Sequence, residues 1–231
     1  MTETERAALS FSGGKDSVLA LHYVLKESRY KVDYLFVSIS RLYQRVSMHG
    51  IRKELITRQG MALGIRTRKM YLPENISMEM YQKIMEAEMQ LMKERGIHTM
   101  IFGDIFLEDL KQYREEQLNS IGMKAVFPLW KMDTVELYKT FVTLGYKAKI
   151  VSVNLKKLGK EFLGKELSLE LLKEFPKGID VCGENGEFHT FVYDGEIFQH
   201  PVSFKSGEIM ERNYVHNGEE HPYAFLDLKV V

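Results

Sequence analysis

The chain has 231 residues, 45% of them hydrophobic, and its 32 lysines and arginines balance 32 aspartates and glutamates. This length suits one large domain or one domain with a small companion, and the balanced charge predicts no general attraction to nucleic acid or to an acidic membrane surface. The single cysteine excludes an intrachain disulfide and a zinc site of several cysteines, and without a membrane-length apolar stretch or a signal-peptide pattern we predict a soluble, cytoplasmic protein.

Apolar runs alternate with helical patterns through the first half of the chain. In chain order, the pattern predicts strands over 7–11, 32–39, 67–72 and 99–102, and helices over 16–28, 51–63, 76–95 and 109–120. Such alternation is typical of an α/β fold, in which a doubly wound, largely parallel sheet has helices on both faces.

After Pro128 the pattern changes to one of mixed helices and strands. It predicts helices over 134–144 and 168–174, and strands over 148–153, 188–193, 202–204 and 223–231. Ser168 is a suitable N-cap for the second of these helices. We therefore predict a domain boundary near residue 130, with a nucleotide-binding domain over 1–130 and a smaller α+β domain over 131–231.

A glycine-bearing turn joins the first predicted strand to the first predicted helix. Glycines let backbone N–H groups point at an oxyanion, and the start of a helix adds partial positive charge. The turn matches neither the Walker A pattern nor the dinucleotide-binding Gly-x-Gly-x-x-Gly pattern. We expect a nucleotide-phosphate site formed by Ser12, Gly13, Gly14, Lys15, Asp16 and Ser17.

A second polar segment, Cys-Gly-Glu-Asn-Gly-Glu-Phe-His-Thr, spans residues 182–190. Its carboxylates, Glu184 and Glu187, are three residues apart, and such a pair can hold one member with a raised pKa that suits proton removal. A polar hairpin turn is the alternative, because Asn-Gly is a strong turn signal. We expect Cys182 to be a small buried residue rather than a nucleophile.

Together the two segments resemble the diphthine–ammonia ligase family, which belongs to the PP-loop, or N-type ATP pyrophosphatase, superfamily. The resemblance extends over nearly the whole chain, with further blocks in the expected order at 47–52, 103–105, 113–115 and 127–130. It implies a Rossmann-like domain of the adenine nucleotide alpha-hydrolase-like (HUP) type, followed by a smaller C-terminal α+β domain on the substrate side.

The resemblance also implies a reaction in which a carboxylate, ATP and ammonia give an amide, AMP and pyrophosphate, with Mg²⁺ as cofactor. The backbone amides of residues 13–16 would then hold the pyrophosphate, and Lys15 would offset its growing charge. Asp104 would bind Mg²⁺ or ammonium, or would simply cap a turn. Asp16 would help to orient Mg²⁺ or would cap the first helix.

The remaining site residues follow from the same resemblance. Glu184 and Glu187 would bind ammonium or act as general base, completing with Lys15 and Asp104 the expected catalytic set. His49 would lie on the nucleotide side, and the expected substrate side consists of Arg114, Asn185, His189 and Thr190. For each histidine a structural role is the alternative, and Arg114 could instead form an ion pair with Glu115.

Other functions of PP-loop proteins stay open at this point. They are ATP pyrophosphatase chemistry on another small molecule or on tRNA, and a sensor that binds ATP or AMP without turnover. Sulfur transfer is disfavoured, since it normally needs more than one cysteine. The expected partners are ATP, ammonia and a carboxylate, which is diphthine on translation elongation factor 2 if the source makes it.

Five methionines between 78 and 92 are compatible with core packing or with a homodimer, and are not expected to form a ligand-binding site.

Overall fold

A computed structural model describes residues 4–74, 76–216 and 219–231. Within these residues, the N-terminal half is built on five parallel strands and one short antiparallel strand. They are β1 (Glu5–Ser10), β2 (Tyr30–Ser40), β3 (Arg45–Val46), β4 (Arg66–Leu72), β5 (Thr99–Ile101) and β6 (Lys124–Val126). The parallel order is β4-β2-β1-β5-β6, and β3 pairs in the antiparallel sense with the end of β2.

Four helices connect these strands and cover both faces of the sheet. They are α1 (Lys15–Glu27), α2 (Lys53–Ala62), α3 (Met78–Glu94) and α4 (Glu108–Ser120). Successive side chains of a strand point to opposite faces, so Leu9 of β1 joins the core under α1 and α2, whereas Ala8 joins the core under α3. Burial on both sides explains why the central strands read as continuous apolar runs. The predicted doubly wound, Rossmann-like architecture is confirmed.

The C-terminal half forms a smaller antiparallel sheet, in the order β8-β7-β10-β9, together with short helices. Its elements are α5 (Thr134–Thr143), β7 (Lys147–Asn154), a 3₁₀ turn (Lys160–Phe162), α6 (Leu169–Glu174), β8 (Phe188–Asp194), β9 (Phe204–His216) and β10 (Glu219–Val230). The hydroxyl of Ser168 accepts a hydrogen bond from the backbone N–H of Leu171 at 3.1 Å, which confirms the predicted N-cap.

Several elements differ from the sequence prediction. Strands β3 and β6 were not expected, and the strand predicted over 202–204 is wrong, since β9 begins at Phe204 and runs to His216. This strand lies at the edge of its sheet, where charged side chains and Gly207 interrupt the apolar alternation by which strands are recognised. The domain boundary near residue 130 stays a prediction. No helix in the described ranges is both long and apolar enough to cross a membrane.

The topology creates a crevice at the carboxyl ends of β1 and β5. The chain runs outward from β1 to β2 and β4, and then returns to place β5 on the other side of β1. Open α/β sheets bind ligands at such a reversal. Strand β8 of the second sheet lies against this crevice, because the backbone N–H of Val192 donates to the carbonyl of Gly13 at 2.9 Å.

Candidate active site

The phosphate loop, defined here as residues 12–17, follows β1 and opens α1. Gly13 has a φ angle of +81°, a left-handed conformation that favours glycine, and a Cβ at this position would lie 2.5 Å from Oε1 of Gln59. A Cβ on Gly14 would lie 3.2 Å from the carbonyl oxygen of Thr190. Both glycines therefore allow a close approach of the loop to its neighbours.

The loop presents hydroxyls and the first helical turn to the crevice. Gly14 is the N-cap, so Lys15, Asp16 and Ser17 form the first turn, whose N–H groups have no acceptor within the helix. The Oγ atoms of Ser12 and Ser17 lie 3.4 Å apart. The capping alternative for Asp16 is wrong, because the cap position belongs to a glycine. These donors suit an anion.

The side chain of Lys15 is almost fully buried, with 3% exposure. Its Nζ donates to Oδ1 of Asp16 at 2.6 Å and to the backbone carbonyl of Cys182. Burial, the largest single effect, lowers the pKa of Lys15, but Asp16, Cys182 and Glu184 together outweigh burial and the pKa is raised. The ammonium is therefore charged, and it joins the phosphate loop to the segment that contains Cys182.

Thr190, expected on the substrate side, lies directly on the phosphate loop. Its Oγ1 accepts a hydrogen bond from the backbone N–H of Lys15 at 3.0 Å. One of the amides expected to hold pyrophosphate is thus already bonded to β8. Binding through that amide would require the Thr190 contact to be exchanged.

A cavity of about 400 Å³, here called the phosphate chamber, lies between the phosphate loop and the two sheets. Most of the predicted site residues line it. They are Ser12, Lys15, Asp16, Ser17, His49, Asp104, Arg114, Glu184, His189 and Thr190. The fold therefore brings together side chains that are up to 178 residues apart, Ser12 and Thr190 being the extremes.

Asp104 and Arg114 form an ion pair on the wall of the phosphate chamber. Nη2 of Arg114 lies 3.2 Å from Oδ1 of Asp104, whereas Glu115 pairs with Lys111. The alternative of an Arg114–Glu115 pair is therefore wrong. Oδ2 of Asp104 is buried and has no hydrogen-bond partner among the described residues, and burial raises the pKa of this carboxyl. An oxygen of this kind is suited to a cation.

Glu184 reaches the same chamber from the 182–190 segment. One of its carboxylate oxygens, Oε2, accepts a hydrogen bond from the backbone N–H of Ile105 at 3.2 Å. Burial, followed by the nearby Asp16 carboxylate, raises the pKa of Glu184 to about 7. A carboxyl group with this pKa can both take up and release a proton at neutral pH.

Glu187 and Asn185 are not among the residues that line the phosphate chamber. The Glu187 side chain is buried, and its Oε1 accepts hydrogen bonds from the backbone N–H of Asp180 and from Nδ2 of Asn185, both at 3.3 Å. Oδ2 of Asp180 in turn accepts from the backbone N–H of Glu184 at 2.8 Å. Glu187 therefore supports the turn that presents Glu184. A direct role for Glu187 in the reaction would require its hydrogen bonds to Asp180 and Asn185 to change.

His49 and His189 lie together on the wall of the phosphate chamber. Their rings are stacked, with centroids 4.3 Å apart. Burial lowers the pKa of His49 well below its usual range and lowers that of His189 to about 4, with Lys15 contributing to the second shift. Both rings are therefore neutral at physiological pH, and neither holds a positive charge for phosphate.

A second cavity of about 250 Å³, here called the apolar chamber, adjoins the phosphate chamber. Both chambers are lined by Ser10, Phe36, Ser38, Leu110 and Arg114. Its apolar wall includes Met85, Met89, Met100, Phe102 and Tyr81. The methionines of α3 were expected only to pack in the core or between subunits. The spacing of four residues between Met85 and Met89 predicts a shared helix face but gives no sign of a cavity.

Two more features bear on chemistry. Sγ of the buried Cys182 donates to the carbonyl of Thr134 at 3.3 Å, and burial raises its pKa to about 12, so it is held as a thiol.

Gln59, which was not predicted as a site residue, is fully buried beside Gly13. A lone glutamine on an amphipathic helix gives no sequence signal of such a contact.

The acidic residues suit a magnesium ion bound together with phosphates. Among the described residues there is no group of three or more His, Cys, Asp or Glu side chains arranged to hold a metal. Magnesium, however, is usually bound by one or two carboxylates, waters and the phosphates of a substrate rather than by an all-protein cage. Asp16 and Asp104 both face the chamber, and the unpartnered Oδ2 of Asp104 offers a ligand atom.

Comparison with known proteins adds independent information. Family models described as the diphthamide synthase N-terminal and C-terminal domains match residues 5–125 and 133–219. A human relative, named diphthine–ammonia ligase, is 26% identical over an alignment of 251 positions, which covers 96% of this chain and 90% of the relative. Bovine and mouse proteins of the same name are 27% and 26% identical; they cover 89% and 96% of this chain, and the matches span 85% and 90% of those proteins.

Proposed function

Because the chain belongs to the diphthamide synthase family, we propose that it is a ligase that uses ATP to join a carboxylate to ammonia. The observation that best supports this function is the position of the phosphate loop opposite Asp104 and Glu184 in one chamber. A site for phosphates and a site for a cation or proton thus face a common space. The products of the proposed reaction are an amide, AMP and pyrophosphate.

The phosphate loop would hold the β- and γ-phosphates of ATP. The first-turn amides of Asp16 and Ser17 and the Ser12 hydroxyl supply donors, and the ammonium of Lys15 supplies a full charge close by. The Ser17 hydroxyl donates to the Gly14 carbonyl at 2.9 Å, so it would have to exchange that bond to reach a phosphate. As the bond between the α- and β-phosphates breaks, negative charge grows on the departing pyrophosphate. Donors fixed in advance around that group lower the barrier, because they need little reorganisation.

The nucleoside would extend from the phosphate loop toward the apolar chamber. The two chambers meet at Ser10, Phe36 and Ser38, which lie at or near the carboxyl ends of β1 and β2. A purine needs an apolar slot with a few polar groups at its edges. The methionine and phenylalanine side chains of the apolar chamber, with the Ser38 hydroxyl at its mouth, meet that requirement.

Asp16 and Asp104 would hold Mg²⁺ together with the phosphates of ATP. When bound, the ion neutralises phosphate charge and polarises the bond to be broken. The protein's own contribution is to keep the Asp104 carboxylate in place through its ion pair with Arg114. A fixed ligand oxygen costs little reorganisation when the nucleotide enters.

The proposed reaction has two steps, transfer of AMP to the carboxylate and displacement of AMP by ammonia. An oxygen of the substrate carboxylate attacks the α-phosphorus, the bond to the β-phosphate oxygen breaks, and pyrophosphate leaves. Ammonia next attacks the acyl carbon, AMP leaves, and one proton is released from nitrogen. Glu184, with its pKa near 7, is the group we assign to accept the proton that the attacking ammonia loses. Ammonium that enters the site must first lose one further proton, to the solvent.

The acyl substrate that the relatives' name suggests is diphthine, a carboxylate-bearing side chain on translation elongation factor 2. The carboxylate would have to enter the phosphate chamber beside Glu184 and close to the α-phosphate. His49 and His189, both neutral, would line the chamber there without attracting or repelling the carboxylate. A homodimer and a cytoplasmic location remain predictions.

The test is a product assay with the purified chain. ATP labelled at the α-phosphate, Mg²⁺, ¹⁵N-ammonium and diphthine-bearing elongation factor 2 are incubated together, and AMP and labelled amide are quantified. We expect AMP and amide in equal amounts, with neither formed when the protein substrate is left out. Tight ATP binding without AMP would identify a sensor and refute the ligase, and AMP formed with a different acid would retain the ligase and change its substrate.

A further inference from the structure

Gln59 joins the phosphate loop to the second sheet. The side chain is fully buried, and its Nε2 donates to the carbonyl of Gly13 at 2.9 Å and to the carbonyl of Val192 at 2.5 Å. The backbone N–H of Val192 also donates to the carbonyl of Gly13, at 2.9 Å. The Gly13 carbonyl therefore accepts two hydrogen bonds, one from each half of the chain.

These two bonds fix the direction of a donor in the phosphate loop. A trans peptide is planar, so the carbonyl of Gly13 and the N–H of Gly14 point in opposite directions. With the carbonyl held toward Gln59, the N–H of Gly14 points the other way, and it donates to Oγ of Ser12 at 3.3 Å. Ser12 lines the phosphate chamber. The peptide thus presents its N–H, rather than its carbonyl, to the chamber side.

Without such restraint this peptide would turn easily. Both of its residues are glycines, which adopt positive and negative φ angles at similar cost. A turned peptide would direct a carbonyl oxygen toward the phosphates, where its partial negative charge opposes an anion. A hydrogen-bonded carbonyl resists that rotation, because turning would leave buried donors on Gln59 and Val192 without partners.

We infer that Gln59 is a positioning residue, which sets the orientation of the Gly13–Gly14 peptide for binding of the β- and γ-phosphates. This inference rests on the proposed use of ATP. The amide group is suited to the task, since one nitrogen carries two hydrogens for two carbonyls and brings no net charge into a dry position. A carboxylate in its place would face both carbonyl oxygens without a hydrogen to donate.

The test compares ligands that differ in their phosphates. Gln59→Met keeps a similar length and volume but removes both donors. Affinities for ATP with Mg²⁺, pyrophosphate with Mg²⁺, and AMP are measured by calorimetry on the full chain. We expect ATP and pyrophosphate to bind about tenfold more weakly, in line with the loss of one or two buried hydrogen bonds, and AMP to bind as before. Gln112→Met, at an exposed glutamine of α4, is the matched control.

The affinity losses for the three ligands distinguish a positioning role from a general packing defect. If Gln59→Met bound all three ligands as tightly as the unmodified chain, the positioning role would be overturned. An equal loss of affinity for AMP and for ATP would overturn it as well, because a general packing defect does not distinguish the ligands. If Gln59→Met does not fold, the shorter Gln59→Asn is measured by the same criteria. Failure of the unmodified chain to bind ATP and pyrophosphate would instead refute the proposed function, and with it the basis of this inference.

Discussion

Replacing Glu184 by glutamine is expected to stabilise the protein above neutral pH while removing its activity. Burial and the Asp16 carboxylate raise the pKa of Glu184 to about 7 from an ordinary value of 4.5. This difference corresponds to roughly 3 kcal/mol of unfavourable free energy for the ionised form in the folded protein. Because the side chain is only half-buried and solvent screens part of this effect, we expect about 1–3 kcal/mol.

The pH dependence has a definite sign. The folded protein holds the Glu184 proton more tightly than the unfolded chain, so the cost is absent below pH 4.5, grows between pH 4.5 and 7 and is complete above pH 7. Glutamine cannot ionise and avoids that cost. Glu184→Gln should therefore raise the free energy of unfolding at pH 8 but not at pH 4.5, and it should leave ATP binding in place while abolishing amide formation.

Denaturant unfolding at the two pH values measures this difference. Glu94→Gln, at an exposed glutamate of α3, is the matched control and should show the same free-energy change at both pH values. An equal effect of Glu184→Gln at pH 4.5 and pH 8 would refute the assignment of a raised pKa. Full amide-forming activity in this variant would refute its role as the proton acceptor.

Four further substitutions, at three positions, test separate parts of the site. Lys15→Ala should retain the fold, as checked by circular dichroism, but lower ATP turnover by about 100-fold or more because the charge beside the pyrophosphate is lost; a folded variant with normal turnover would contradict the phosphate assignment. Glu187→Gln should keep most activity, since its amide oxygen can still accept from Asp180, whereas Glu187→Ala should reduce amide formation; an inactive glutamine variant would instead indicate that Glu187 acts directly. Cys182→Ser should change activity by no more than about threefold, because the thiol is protonated and bonded to Thr134, and a complete loss would point to thiol chemistry.

The phosphate loop could be predicted because its signal is local. A strand, two glycines and a helix follow each other within residues 7–28, so the whole pattern lies in one short stretch of sequence. The position of Thr190 on that loop was not predictable in the same way. Its contact with Lys15 joins residues 175 apart, and only the packing of β8 against the first sheet creates it.

The two glutamates of the 182–190 segment show a different limit. In the sequence they are equivalent, each following a glycine by one residue. In the structure Glu184 enters the phosphate chamber, while Glu187 turns beneath the segment toward Asp180. Gly183 and Gly186 both have positive φ angles, so the backbone reverses between the two side chains and directs them apart. Spacing alone cannot state which carboxylate faces a substrate.

Among the residues that the structure describes, Glu184 differs from the other two acids of the phosphate chamber in that it has no cationic partner. Lys15 is matched by Asp16 and Arg114 by Asp104, so each of these cations already has an acidic partner. Within the described residues Glu184 forms no salt bridge, and burial raises its pKa to about 7. The same pairing offsets part of the positive charge that Lys15 and Arg114 offer to a triphosphate, which brings several negative charges into the chamber. We propose that a site arranged in this way binds nucleotide that arrives with its own cation, and that Glu184, whose pKa is near neutral pH, takes the proton that ammonia loses.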